Sequence, residues 1–86
     1  MSERSREVIE GALSTLADQE AVEQHPEYDA AIAVLASLMD VPAFQRAWLL
    51  MGKQERTEMT STLADGIEAR VERREREILV RLATVL

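Results

Sequence analysis

Apolar residues recur along this chain at spacings of three and four, and no window alternates apolar with polar as a strand would. The pattern predicts an all-α fold, a small bundle of three to four helices with a long C-terminal helix, in a single helical domain over residues 1–86. The first helix is expected to start after Ser2 or Ser5, with Glu3 or Glu7 in its first turn. At about 100° per residue Ile9, Ala12, Leu13 and Leu16 fall on one face. Glu20 and Glu23 reach that same face, and an unpaired carboxylate cannot sit in an apolar contact, so packing should stop near Ala17. His25 precedes Pro26 and is thereby pushed out of the helical region, which ends the segment.

Pro26 can open a second helix, because its missing N–H costs nothing at a helix start. Tyr28, Ile32, Leu35 and Met39 form one stripe there, and Ala31, Val34 and Leu38 cover the adjoining arc. A helix apolar nearly all round belongs at the centre of a fold. Pro42 repeats the restart after Asp40. On the third helix Phe44, Trp48 and Met51 share a face, and Phe44 and Trp48, the only Phe and Trp, are assigned to the core. Gly52 is expected to end this helix in the left-handed conformation.

From Thr57 onward Met59, Leu63, Ile67, Val71, Ile78, Leu82 and Val85 keep helical spacing. Unbroken to Val85, that helix would extend about 43 Å, whereas a compact chain of this length has a radius of gyration of about 12 Å. It must break, with Gly66 the candidate, or be covered by another chain. Eight of the ten residues from Glu68 to Glu77 are charged, yet seven of the nine from Ile78 to Leu86 are apolar. Either this tail folds back on the bundle's own core, or two chains pair as a homodimer through Ile67, Val71, Ile78, Leu82 and Val85. Arg74 and Arg81 take the d positions of a heptad, so such pairing would be bundle-like rather than a zipper.

Charge changes the picture further. The net charge is −6, and from Glu7 through Gln45 there are eight acids with no Lys or Arg. That imbalance favours a basic protein partner and opposes a phosphate backbone. The arc Asp18, Glu20, Glu23, Glu27 and Asp29 is the expected partner-binding surface.

Chemistry is harder to place. There is no cysteine, one histidine (His25, between Glu23 and Glu27), and no phosphate-cradling glycine loop, so neither a metal nor a cofactor is expected. The pairs Glu7-x-x-Glu10 and Glu20-x-x-Glu23 resemble the helical carboxylate pairs that bind Mg²⁺ in all-α nucleotide pyrophosphohydrolases. On one shared helix, however, their directions spread through about 200° and do not converge as a hard cation requires. The segment from Pro42 into the next helix could pass for a helix-turn-helix, with Lys53, Gln54 and Arg56 near the second helix's start. Against DNA stands a sequence pI of about 4.7. No apolar run approaches a membrane span and the polar start lacks a signal peptide's apolar core, which points to a soluble, cytoplasmic chain. The repeated string Ser14–Asp18 and Ser61–Asp65 is short enough to arise by chance. The sequence thus predicts a non-enzymatic, acidic interaction module, with a DNA-binding regulator and an Mg-dependent pyrophosphohydrolase as the alternatives.

Overall fold

Both prolines restart helices in the computed structural model, which describes residues 3–85, with side-chain surroundings from residue 5 onward. The elements are α1 (Glu3–Leu16), α2 (Gln19–Gln24), a 3-10 turn (Pro26–Tyr28), α3 (Asp29–Leu38), α4 (Val41–Leu49), α5 (Lys53–Arg70) and α6 (Arg73–Val85). Helix accounts for 88% of the structure and no strand occurs among the described residues. The fold is all-α, with six helices where the sequence suggests three to four. The capping role expected of Ser2, and Leu86 at the end of the apolar tail, lie outside the described residues. Ser5 lies inside α1 rather than before its first residue, and is fully buried.

The extra helices come from two breaks that carry neither Gly nor Pro. At the first, Asp18 adopts an extended conformation (φ −126°, ψ 118°) and its carboxylate accepts the Glu20 N–H at 3.0 Å, capping α2. The buried run of α1 ends at Ala17, next to this cap. At the second, Val71 is extended (ψ 127°) with its side chain buried, and its carbonyl accepts from the Arg76 guanidinium at 3.4 Å. Gly66 has no part in this break; it lies mid-helix in α5 with open space around it. The physical reason for a break is length. The molecule measures 33 × 26 × 21 Å, so a straight helix of about 43 Å would overrun its longest axis.

α1 is the hub, packed by α3, α5 and α6, with Val8, Ile9, Ala12, Leu13, Leu16 and Ala17 in the core. The expected central helix, α3, is also packed by three others, α1, α5 and α6, but it buries fewer side chains than α1. α3 buries Ala31, Val34 and Leu35 but leaves Ala30, Ala33 and Ala36 exposed, since an exposed methyl costs little. Folding back after Val71 lays α6 on α1, with Leu79 fully buried and Ala83 nearly so.

Across the hub, Arg6 ties α1 to α5. Its guanidinium bonds the Asp65 carboxylate and donates to the Ser61 carbonyl and hydroxyl at 3.1 and 2.9 Å, while its Nε reaches Glu10 at 3.1 Å. The Asp65 hydrogen bond holds Arg6 protonated above its ordinary range. Half of the repeated string thus has a use, since Ser61 and Asp65 both hold Arg6.

Candidate functional site: an acidic arc and an apolar corner

All five acids of the expected arc are exposed, strung from the start of α2, through the 3-10 turn that packs on α2, to the first residue of α3. None pairs with a Lys or Arg among the described residues. Asp18 is partly occupied as the α2 cap. Glu27 meets His25 Nδ1 at 3.0 Å, and hydrogen bonds from its own backbone N–H and from His25 draw its carboxyl below the usual range. The expected break before Pro26 lets the chain turn here, and the absence of Lys and Arg from Glu7 through Gln45 leaves the acids without a cation nearby in sequence.

The expected dimer seam is dispersed. Ile67 and Val71 are buried inside the chain, Ile78 and Leu82 are half-buried, and of the five only Val85 is largely exposed, at 82%. The bend after Val71 turns α6 back on α1, so these residues no longer form one free face. Within the described part of the apolar tail Leu79 and Ala83 are buried against the same chain, while Val80 and Val85 stay exposed.

Sequence reasoning missed a second surface, at the corner between α4 and α5. Phe44 is buried as expected, but Trp48 is only half-buried, its ring 5.6 Å from Phe44 and tilted 55°. Arg56 covers the indole with its guanidinium 5.0 Å from the ring centroid, and donates twice to the Trp48 carbonyl, at 3.0 and 2.8 Å. The turn Leu50–Gly52 leads into α5. Gly52 is not left-handed (φ −82°); it is the N-cap of α5, and its N–H is held by the Glu55 carboxylate at 3.2 Å. At the junction of α4 and this turn Leu49 and Leu50 stand 76% and 88% exposed. Their run Trp48-Leu49-Leu50-Met51 gave the signal: four consecutive large apolar residues cannot all face inward from one helix.

Clefts flank Trp48 on both sides. One, of about 710 Å³, lies between Glu7, Glu10 and Ser14 of α1 and Lys53, Thr57 and Ser61 of α5. The other, of about 590 Å³, runs between Asp18–Gln19 and α4, lined there by Pro42, Gln45, Arg46 and Leu49. Gln45 secures this side by donating to the Leu16 carbonyl at 2.9 Å.

The carboxylate pairs end up on different helices, Glu7 and Glu10 on α1 and Glu20 and Glu23 on α2, and Glu10 is engaged by Arg6. Among the described residues no group of three His, Asp or Glu side chains is placed to hold a metal ion. In the helix-turn-helix-like pair α4–α5, Arg56 is spent on Trp48, and Gln54 lies along α5 toward Glu58 at 3.4 Å. Among the described residues no single helix is long and apolar enough to cross a membrane.

No protein family, characterised protein or solved structure matches this chain. Its function is therefore read from its own surface.

Proposed function

We propose that this chain is an acidic helical interaction module that binds a basic surface on a protein partner through Glu20, Glu23, Glu27 and Asp29, with Asp18 at the edge. What supports this reading most is that the five acids are exposed together and have no Lys or Arg partner among the described residues. Unpaired like charges repel one another, and a cationic partner relieves that repulsion while steering encounter. Self-association through the C-terminal helix is not carried into this proposal, because two of its five residues are used inside the fold.

The test is charge reversal. Glu20→Lys with Glu23→Lys should weaken binding of a lysine-rich helical peptide by roughly tenfold or more at low salt, read by calorimetry. Neither residue is buried, and neither side chain makes a hydrogen bond or ion pair among the described residues, so the fold should persist. Undiminished binding by the doubly reversed variant overturns the proposal.

A further inference from the structure

The corner at the end of α4 carries a projection and a recess side by side. Leu49 and Leu50 project into solvent, and the groove of about 590 Å³ begins beside them, with Pro42, Trp48 and Leu49 along its wall. Arg46, one turn before the two leucines, lines that groove, and so does Asp18. Arg46 makes no hydrogen bond or ion pair among the described residues, and Asp18 pairs with no cation there.

We propose that two copies of the chain pair at this corner about a twofold axis. Leu49 and Leu50 of each copy seat in the groove of the other, and Arg46 of each faces Asp18 of its partner. A twofold interface uses one patch twice, so the patch must be complementary to itself. This one meets that condition in shape, with a knob beside a hole, and in charge, with Arg46 and Asp18 lining one groove whose other base, Arg56, is engaged by Trp48. Two adjacent exposed leucines are the kind of apolar surface that marks an interaction site. The corner is also held rigid in advance by Arg56, which clamps Trp48 through two hydrogen bonds and the ring face, so pairing need not order a loop.

Other occupants fit less well. An anionic lipid surface or nucleic acid would meet Arg46 and Arg56 at the groove, but would leave Asp18 beside them without a cation and would face a chain of net charge −6. A purely basic protein would set its charge against Arg46. The proposal shares only Asp18 with the acidic-arc reading, whose test changes Glu20 and Glu23 instead. With two leucines per copy as its apolar centre the interface is small beside stable ones, which bury about 1,200–2,000 Å² in total, so the dimer should be weak and dissociate on dilution.

The experiment is sedimentation equilibrium of the full chain at about 100 µM, a concentration at which a weak pair is populated. The wild type should be dimeric, and Leu49→Ser with Leu50→Ser should weaken pairing roughly tenfold or more while keeping the helical signal, since both side chains are exposed. Arg46→Asp and Asp18→Arg should each be monomeric alone, yet combine one-to-one when mixed, because each then supplies the charge the other lacks. Asp18→Arg also removes the α2 cap, so its helicity is checked first; the leucine variant carries the test in any case. A monomeric wild type, a dimer unaffected by the leucine changes, or a wild type that binds anionic vesicles while staying monomeric overturns the proposal. Binding of the lysine-rich peptide by the monomeric leucine variant keeps the two readings distinguishable.

Discussion

Tyr28 occupies the space that a side chain at Gly11 would need. A Cβ built on Gly11 would lie 2.5 Å from the Tyr28 hydroxyl oxygen and 2.9 Å from its Cζ. The glycine gives the tyrosine ring room where the 3-10 turn that begins the α3 segment lies against the hub helix α1, and a Cβ there would push the ring aside. Gly11→Ala should therefore destabilise the fold by about 1–2 kcal/mol, the overpacking cost less the gain in helix propensity. In a Tyr28→Ala background the same change has no ring to displace and should stabilise by up to about 1 kcal/mol. Urea denaturation of the four proteins checks this, and an equal effect in both backgrounds would contradict it.

Gly66 is the counter-example. It lies inside α5 with nothing within 4 Å of a built Cβ. Gly66→Ala should stabilise by about 0.5–1 kcal/mol, by removing backbone freedom from the unfolded chain. A loss of stability would mean that the helix needs glycine there.

Phe44 is the anchor of the least-packed helix, α4, and the one fully apolar side chain that α4 buries. Phe44→Ala should cost about 3 kcal/mol. Because Trp48 is the sole tryptophan and leans on Phe44, its emission should shift to the red before global unfolding. Arg56→Met should give a similar shift with a smaller stability loss, since it removes the two bonds to the Trp48 carbonyl and the cation over the ring. An unchanged spectrum in both variants would contradict the described corner.

Glu27 gives the pH prediction. Its carboxyl is held below its ordinary range, first by its own backbone N–H and next by His25. A depressed carboxyl contributes stability above its unfolded value and loses it as pH falls through the lower folded value. The wild type should thus melt above Glu27→Gln at neutral pH, and the gap should close on acidification through the carboxylate range. A gap that stays constant into strong acid would contradict the assignment.

Elements marked by local chemistry were legible in the sequence. Pro26 and Pro42 fix restarts wherever the tertiary structure lies, and the Asp40 carboxylate caps α4 by accepting from Ala43 N–H at 3.1 Å. The stripe Ile9, Ala12, Leu13 and Leu16 is apolar on one face only, and that face is buried. The break at Val71–Glu72 was not legible, because neither residue disfavours helix strongly; the turn follows from the length of the rod and the pull of Leu79 and Ala83 toward α1. For the same reason the hub is α1, since composition does not say which of two helices, each packed by at least three others, will bury more side chains. Of the functional surfaces, the acidic arc is visible in the charge layout alone. The Leu49–Leu50 corner is only partly visible: the apolar run over residues 48–51 requires some apolar exposure, but which residues are exposed depends on which side of α4 the fold covers.

The most direct test of the acidic-arc account exchanges charge on both sides of the contact. Wild type and the Glu20→Lys, Glu23→Lys variant are each titrated calorimetrically with a lysine-rich and a glutamate-rich helical peptide at low salt. The account predicts that the wild type takes the basic peptide and the variant shifts its preference toward the acidic one, both effects fading as salt rises. A variant that keeps the wild-type affinity for the basic peptide would contradict it.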